Sequence, residues 1–567
     1  MRPLLARGES GKSVSRILLL LVFLLWMAWT PQRPTGAGTA GRAGATTQAA
    51  DAVASQPDAL QWVADPHVGL PAFFGFYLLL VVVMRLWSGM LARRVTHLNV
   101  NPSLRRFNKM MFVARLFVPA WFGIGLFVLG WGPTVNAWAK SWAPTQLPSV
   151  LLGTLPAFLA WAALWWSQYP AEQSLREHNI LEELESDLPV YAPPTFREYF
   201  TANLRLQILF TVIPVLAIIF VRDLLALVVR PFLKGGVSDA IEFFAMLLST
   251  GVVFLLAPEI LRRVLHTQPL PQSPLRRRLE ALCKRVGLRY RDILLWRTQN
   301  NMGNAAVMGV IPQVRYILLS DLLLERMDDE QIEAVFAHEV GHIVHRHMAW
   351  YVVVIIIFTM GLAALQTVTQ QLLPADLEVW TALPPEAVDV LSVVGTLVLF
   401  LIFFGFLSRR FERQADVYAA RVMEASARDR GQKPVITSEG SGEKEFAVQA
   451  APPAPPVGDA THVGHYGATV FASALHRVAV MNNIPMTPRR PPRRGLRRRI
   501  AHAIDNFVES LHNWFHGSVP RRMEYVRHLS ADPALTGHFD KRMVRLYCTL
   551  LFALFASVAF VVGSLFR

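Results

Sequence analysis

The chain has 567 residues, of which 53% are hydrophobic, and its mean hydropathy of +0.33 exceeds what an ordinary soluble core requires. The formal net charge is +15, which in a membrane protein can reflect cationic loops and need not indicate nucleic-acid binding. Only two cysteines occur, Cys283 and Cys548, so neither a disulfide framework nor a metal site built from thiolates is supported. The composition therefore indicates a membrane protein in which any metal is held by histidines and carboxylates.

The first apolar segment, at 17–29, follows four basic residues and has two interpretations. Its charged start, its short apolar stretch and the later sequence Ala43-Gly44-Ala45 resemble a secretory signal peptide with its cleavage site. The same segment can equally remain as an anchor helix. Residues 1–66 are accordingly predicted to be a signal or anchor segment followed by a small-residue loop outside the cytoplasm.

Eight further apolar segments are each close to the roughly 20 residues that a helix needs to cross a bilayer. They lie at about 70–88, 110–131, 148–167, 207–229, 239–260, 350–370, 386–407 and 546–566. One such segment can be a buried core helix, but eight in one chain favour membrane spans. The predicted fold class is therefore mostly α, a polytopic α-helical membrane protein, with a multi-span membrane domain at 67–260 and a final transmembrane helix at 546–567.

The loops between these segments alternate in basic charge. The loop at 371–385 contains no Lys or Arg, and the loop at 132–147 contains only Lys140. Because cytoplasmic loops carry the excess of Lys and Arg, a single alternating topology satisfies all of them. The loops predicted to be cytoplasmic are 89–109, 168–206, 261–349 and 408–545. The charge is thereby explained by topology and by contact with membrane lipid, so no nucleic-acid partner is expected.

Two long hydrophilic stretches, 261–349 and 408–545, share that predicted side and can form one split domain, joined by a transmembrane hairpin at 350–407. Within the second stretch, about 425–462 is rich in Gly, Ser, Pro, Ala and charge and lacks an apolar period. Such a composition cannot bury enough apolar surface to support a core. We therefore predict a disordered insertion there.

The most specific motif is His338-Glu339-Val340-Gly341-His342. Asp328 can cap the start of a helix here, with Gln331 three residues later, and apolar residues follow at helical spacing. On that helix His338 and His342 leave the same face, so both imidazoles can bind one zinc ion. Glu339 is then placed to act as the catalytic base.

Zinc hydrolases with this motif need a third protein ligand, which is absent from the residues that directly follow it. After the 386–407 segment, Glu412 and Asp416 share a helix face. Glu412 suits the role of third ligand, and Asp416 suits a carboxylate that receives the other ring N–H of a zinc-binding histidine. Two membrane crossings return the chain to its starting side, so the hairpin can bring both motifs together near the membrane surface.

With these motifs the sequence resembles the integral-membrane zinc metallopeptidases typified by the CAAX prenyl proteases and the heat-shock-type membrane proteases. The resemblance is best over about 270–420, through Pro274-Leu275-Arg276, Asn304-Ala305-Ala306-Val307-Met308-Gly309, Ile317-Leu318-Leu319-Ser320-Asp321, the HEVGH motif and Glu412 to Asp416. It implies a split zincin-like catalytic domain with a small β-sheet, whose first part is 261–349 and whose second part is 408–545. It further implies a zinc-dependent endopeptidase.

The resemblance also implies roles for five further residues. Asn304 and Ala305 look like contacts to the backbone of an extended substrate. His347 matches a histidine that the family often carries. It would contact the zinc ligands without binding the zinc ion itself. Where the family usually has His-Pro-Ser, this chain has His516-Gly517-Ser518, so Gly517 departs from the pattern. Carried over, His516 would stabilise the oxyanion, and Arg522 would orient the site or bind substrate backbone.

The sequence therefore predicts a multi-pass membrane zinc metalloendopeptidase with one Zn²⁺ per chain, whose catalytic domain faces the cytoplasm, at the plasma (inner) membrane if the organism is bacterial. Its predicted partners are a peptide or membrane-protein substrate and membrane lipid. The alternative is a non-catalytic transporter or scaffold in which the motif is a relic or a structural zinc site. The intact set of ligands and base favours the enzyme.

Overall fold

The computed structural model describes most of the chain, and its residues divide into two compact units. The first unit comprises 1–265 and 378–398, and the second comprises 266–377 and 399–567. The described residues are 8–29, 65–142, 145–185, 193–229, 238–298, 302–372, 385–429, 462–482, 484, 486 and 516–565.

The first unit is built from helices. They are α1 (Gly8–Trp29), α2 (Pro66–Ala92), α3 (Val100–Phe127), α4 (Trp131–Trp142), α5 (Gln146–Glu185), α6 (Phe196–Asn203), α7 (Phe210–Val229) and α8 (Ser238–Val264). A π-helical turn, Leu204–Leu209, joins α6 to α7, and a 3-10 turn, His97–Asn99, precedes α3. The unit also contains residues 385–398, the start of a later helix.

Large aromatic side chains fill the core of this unit. Trp26 of α1 and Trp161 and Trp165 of α5 are fully buried, so α1 is part of the core in the full chain. Asp223 of α7 accepts a hydrogen bond from the backbone N–H of Leu147 at 2.8 Å. This contact satisfies one of the amides that the first turn of α5 leaves without a helical partner.

The second unit combines further helices with a small sheet. Its strands are β1 (Thr267–Pro269), β2 (Asp292–Trp296), β3 (Ala305–Met308) and β4 (Tyr316–Ser320). Its helices are α9 (Pro274–Arg285), α10 (Asp321–Arg326), α11 (Asp329–Val344), α12 (His347–Leu372), α13 (Pro385–Asp429, from residue 399), α14 (His465–Met481), α15 (Val519–Ser530) and α16 (Pro533–Leu565). A 3-10 turn, Pro312–Val314, precedes β4.

The sheet has the strand order β1-β2-β4-β3. β2 runs parallel to β4, with Leu294 opposite Leu318, and β3 runs antiparallel to β4, with Ala306 opposite Leu318. β4 is buried along its whole length, as its continuous apolar sequence requires of an inner strand. β3 is therefore an edge strand of this sheet.

The helix that carries the HEVGH motif begins as the sequence predicts. Asp328 accepts a hydrogen bond from the backbone N–H of Gln331 at 2.8 Å, which caps the start of α11. The helix ends at Val344, and Arg346 then has a φ of 54°, which turns the chain into α12. The inner face of α11 buries Phe336, Ala337 and Val340 completely.

Seven helices of the described residues are long and apolar enough to cross a membrane. They cover seven of the eight predicted segments, and the remaining one, 239–260, lies in α8. Many of their large apolar side chains face outward, such as Leu78 and Phe552, which are 66% and 75% exposed. Lipid is the medium in which such surfaces are stable. The predicted fold class is confirmed: the chain is a multi-pass helical membrane protein with a small sheet.

One predicted boundary is wrong. The insertion is predicted from about residue 425, but α13 continues to Asp429. Ala425, Ser426 and Ala427 are buried, and the hydroxyl of Ser426 accepts a hydrogen bond from Arg285 at 2.8 Å. Small residues let the helix pack closely here, which composition alone cannot reveal. Residues 430–461, the rest of the predicted insertion, lie outside the described residues.

Candidate metal centre

The two histidines of the HEVGH motif face one point. They stand four residues apart on α11, and their Nε2 atoms lie 3.3 Å from each other. The His338 side chain is 11% exposed and that of His342 is 19% exposed. Phe471 of α14 stacks on the His338 ring with centroids 5.9 Å apart. Packing therefore holds the first imidazole in place.

Glu412 of α13 completes a triangle with these two nitrogen atoms. Its Oε2 lies 3.6 Å from Nε2 of His338, and its Oε1 lies 3.7 Å from Nε2 of His342. Ligands bound tetrahedrally to zinc at about 2.0–2.2 Å stand roughly 3.3–3.6 Å apart. Glu412 Oε2 is also buried, and within the described part of the chain it forms an ion pair with Arg522 at 3.3 Å but no hydrogen bond. The spacing and the donor set therefore fit one zinc ion.

A glycine in the motif allows the two helices to approach. A Cβ atom added to Gly341 would lie 3.1 Å from Cα of Ala415 and 3.1 Å from Cδ1 of Tyr418, both on α13. These distances are shorter than ordinary van der Waals contact, so a larger residue must push the helices apart. Gly341 thus helps to bring Glu412 within reach of the histidines.

Asp416 and Arg522 support the triangle from behind. Asp416 is fully buried, and its Oδ1 lies 3.0 Å from Nδ1 of His338. Arg522 of α15 donates to both oxygens of Asp416, at 2.9 and 2.6 Å, and its Nη1 lies 3.3 Å from Glu412 Oε2. A guanidinium engaged in this way is suited to orienting the carboxylates, the first of the two roles predicted for it.

His347 is fully buried beside the second histidine. Its Nδ1 lies 2.9 Å from Nδ1 of His342, and its Nε2 lies 3.0 Å from Oε1 of Gln414. The hydroxyl of Tyr547, on α16, donates to the same oxygen at 2.5 Å. The sequence interpretation had assigned no role to Gln414 or Tyr547. Gln414 could have been noticed because it lies between Glu412 and Asp416, whereas Tyr547 has no signal in its apolar segment.

The motif side chains differ in their acid–base behaviour. Burial lowers the pKa of His342 to about 3, so this imidazole is neutral at physiological pH. Burial also opposes the charge of His338, but its contacts with Asp416 and Glu412 outweigh burial and raise its pKa to about 9. Burial raises the pKa of Glu339 to about 7. This carboxyl group can therefore both accept and release a proton near neutral pH.

His516 lies at the open side of the triangle. Its side chain is 70% exposed, and its Nδ1 lies 2.9 Å from Oε1 of Glu412. The next residue, Gly517, has a φ of 75°, which proline cannot adopt. The departure from the family's His-Pro-Ser pattern therefore has a backbone reason in this chain.

Asn304 and Ala305 stand at the start of the edge strand β3. The backbone N–H of Asn304 donates to the hydroxyl of Ser320, and the backbone N–H of Ser320 donates to the carbonyl of Asn304. Asn482, at the end of α14, binds both backbone groups of Gly303, with its Oδ1 accepting at 3.0 Å and its Nδ2 donating at 2.6 Å. Asn482 was missed because 179 residues separate it from Gly303.

Comparison with known proteins supports the resemblance seen in the motifs. Residues 269–456 match the sequence model of Peptidase family M48. A CAAX prenyl protease 1 homolog of Arabidopsis thaliana is 25% identical over 222 residues, which are 36% of this chain and 51% of that protein. A protease HtpX homolog of Aeropyrum pernix is 30% identical over 128 residues, 20% of this chain and 40% of that protein. The resemblance to the membrane zinc metallopeptidases is confirmed over the matched segment.

A solved structure is also similar to this chain. The crystal structure of S. mikatae Ste24p aligns with a TM-score of 0.43 and 15% identity, covering 80% of this chain and 98% of that one. The chain spans about half or less of the length of the two curated relatives.

Proposed function

We propose that this chain is a membrane-bound zinc metalloendopeptidase. The observation that carries the proposal is the triangle of His338, His342 and Glu412, with its ligand atoms 3.3–3.7 Å apart, next to the partly buried Glu339. The match of residues 269–456 to a peptidase family supports the same activity.

The three residues would hold one zinc ion per chain and leave a fourth position open to water or substrate. When bound, zinc polarises the scissile carbonyl and makes water a stronger acid. His338 carries a proton in the metal-free protein, because its pKa lies near 9, so cation binding releases that proton. Zinc binding therefore becomes tighter as the pH rises toward this value.

Glu339 carries out the proton transfers. It takes a proton from the attacking water, which adds to the carbonyl carbon, and then gives the proton to the leaving amine as the C–N bond breaks. Its pKa near 7 suits both steps, since a base that is too weak cannot take the proton and one that is too strong cannot return it.

His516 and Arg522 complete the reaction site. The exposed imidazole of His516 adjoins Glu412 and can donate a hydrogen bond to the carbonyl oxygen as negative charge develops there. Arg522 holds Asp416, whose Oδ1 lies 3.0 Å from Nδ1 of His338 and can orient that imidazole. His347 supports His342 from the opposite side.

The edge strand β3 is the proposed binding site for the substrate backbone. An extended peptide can pair with the edge of β3 that β4 leaves open, where Ala305 would supply backbone groups. The backbone groups of Asn304 are bonded to Ser320, so Asn304 would contact the peptide through its side-chain amide. Such pairing would present an extended peptide beside α11, against which β3 packs.

The substrate is a peptide bond near the cytoplasmic face of the membrane. The loop charges support this placement. The HEVGH motif lies in the loop at 261–349, which is rich in Lys and Arg, as cytoplasmic loops are. The family resemblance suggests two substrate classes: the CAAX prenyl proteases suggest lipidated carboxyl termini, whereas the heat-shock-type membrane proteases suggest misfolded membrane proteins. The alternative, a transporter or scaffold with a structural zinc site, lacks any use for Glu339 as a base.

Removal and restoration of the metal tests the proposed function. Purified enzyme treated with a chelator should lose peptidase activity and regain it on addition of zinc, whereas Glu339→Gln should stay inactive with zinc bound. A zinc-containing wild-type protein that cleaves no peptide or membrane-protein substrate would favour the transporter or scaffold. Comparing the proteins retained in membranes with wild type and with Glu339→Gln would identify the substrate class.

A further inference from the structure

A chain of hydrogen bonds runs from the candidate zinc ligand His342 to the C-terminal helix α16. Nδ1 of His342 faces Nδ1 of His347 at 2.9 Å, and Nε2 of His347 faces Oε1 of Gln414 at 3.0 Å. The hydroxyl of Tyr547 then donates to the same oxygen at 2.5 Å. Every member belongs to the second unit.

With Oε1 of Gln414 facing His347, the chemistry of these groups determines the direction of each hydrogen bond. Oε1 of Gln414 can only accept, so Nε2 of His347 carries the proton and donates. A neutral imidazole has one N–H, so Nδ1 of His347 has a lone pair and accepts from Nδ1–H of His342. The Nε2 of His342 is then left with a lone pair, which faces His338 and Glu412.

The opposite direction would disable the ligand. If the amide of Gln414 were reversed, its NH₂ group would donate to His347, whose Nδ1 would carry the proton. His342 would then have to accept at Nδ1 and carry its own proton at Nε2, where the cation binds. The structure has the productive orientation, in which Oε1 of Gln414 faces Nε2 of His347 and accepts from the hydroxyl of Tyr547.

Packing holds this hydrogen-bonded relay, which consists of His342, His347, Gln414 and Tyr547, in place. His347 is fully buried, and its ring stacks on Phe411 with centroids 4.6 Å apart and an interplanar angle of 7°. The ring of Tyr547 lies on Phe411 at 6.1 Å and on Trp350 at 4.5 Å. A stacked and buried imidazole cannot turn over without breaking these contacts, so its two nitrogens keep their partners.

We propose that Gln414 and Tyr547 are positioning residues that hold His342, through His347, in the tautomer whose Nε2 lone pair receives the zinc ion. This inference rests on the proposed function and deepens it. It makes the metal site depend on the docking of α16, a helix whose sequence carries no metal-binding motif. The two histidine ligands are thereby oriented differently, His338 by a carboxylate and His342 by a neutral relay.

Zinc affinity of the full-length protein, measured by competition with a chelator, tests the relay without any peptidase assay. Gln414→Leu and His347→Phe should each weaken zinc binding by about 10- to 100-fold, the usual loss when a supporting hydrogen bond to a ligand is removed. Tyr547→Phe keeps the stacked ring and should give a smaller loss. The matched control is Tyr466→Phe, which removes a tyrosine hydroxyl that donates to Glu330 at 3.0 Å, away from the relay.

The tautomer of His342 supplies a second readout, since a merely structural role would not move it. Nitrogen NMR of labelled histidines should show Nδ1 protonated in the metal-free wild type and a mixture of tautomers in Gln414→Leu and Tyr547→Phe. Unchanged affinity and an unchanged tautomer in both variants, beside a tightly binding wild type, would overturn the relay and leave the proposed function intact. A wild type that binds no zinc would overturn both.

Discussion

Three ionisable side chains within two turns of α11 have different pKa values because their neighbours differ. His338 contacts two carboxylates and holds its proton, whereas burial removes the proton from His342 although the Glu412 carboxylate is near. Glu339 is raised toward neutrality by burial. The site therefore contains two imidazoles prepared in different ways for one cation, beside a carboxyl group suited to moving protons.

The pH dependence of the reaction follows from Glu339. The rate requires its carboxylate form, so kcat/KM should fall as the pH drops through the pKa of this group. That pKa is about 7 in the metal-free protein, and a bound cation lowers it by attraction, so the acidic limb should lie at or below this value. The measurement is kcat/KM against pH, with zinc content checked at each pH. An acidic limb centred a full unit above that value would contradict the assignment.

The sequence singles out the three candidate ligands, which the structure brings together, but it does not single out the residues that support them. The four-residue spacing of His338 and His342 is a helical signal, and Glu412 follows because a zinc site needs a third ligand. Gln414 and Tyr547 act through side-chain hydrogen bonds between distant parts of the chain. A glutamine on a helix and a tyrosine in an apolar segment each have ordinary structural explanations, so nothing local marks them.

Among the secondary-structure elements, β3 is the one whose position matters most for substrate. It is a four-residue edge strand, and the amide of Asn482 holds the backbone of the preceding Gly303 through two hydrogen bonds. The two hydrogen bonds of this amide resemble those that a neighbouring strand would make to the backbone of Gly303. Asn482 thereby links α14, which packs against α11, to the strand proposed to bind the peptide.

Asn482→Ala should raise KM severalfold with a smaller effect on kcat and with zinc content unchanged, because it loosens the strand and leaves the ligands in place. Steady-state kinetics on a peptide substrate would show this. The matched control is Asn99→Ala in the first unit, where the amide likewise binds one backbone N–H, of Thr96, and one backbone carbonyl, of Arg94. An unchanged KM in Asn482→Ala would exclude β3 as the substrate strand or Asn482 as its support.

The predicted elements agree with the structure where length and hydrophobicity decide the outcome, as for the spans at 350–370 and 386–407. They differ where packing decides it. α13 continues through Ala425–Ala427 because small residues fit against neighbouring side chains, although the same composition reads as a flexible segment. The short strands β1 and β3 have too few residues for periodicity to identify them.

At the scale of the whole molecule, the second unit is assembled from stretches on both sides of a long apolar hairpin. Residues 266–377 and 399–567 belong to it, and the three residues proposed to hold zinc come from both. Such a unit can form only if the chain returns to the side of the membrane from which it left. The distribution of Lys and Arg among the loops predicts that this side is the cytoplasm.

Labelling with a membrane-impermeant thiol reagent tests this topology in the full chain. In a variant without Cys283 and Cys548, single cysteines at Asn300 and Arg489 should be protected in intact cells and react after permeabilisation. Cysteines at Lys140 and Asp376, in the two loops poor in basic charge, are the controls that should react in intact cells. Opposite results at Asn300 and Arg489 would mean that the two stretches lie on different sides, and the proposed site could not assemble.

The central claim is that His338, His342 and Glu412 hold one zinc ion while Glu339 serves only as base, and two variants separate these roles. Zinc content and peptidase rate should be measured on purified wild type, Glu412→Ala and Glu339→Gln. Glu412→Ala should lose most of its zinc, because two imidazoles alone do not define a tetrahedral site. Glu339→Gln should keep its zinc and lose nearly all activity, because Gln preserves the shape of the side chain but cannot accept the proton. Stoichiometric zinc in Glu412→Ala, or a near wild-type rate in Glu339→Gln, would contradict the account.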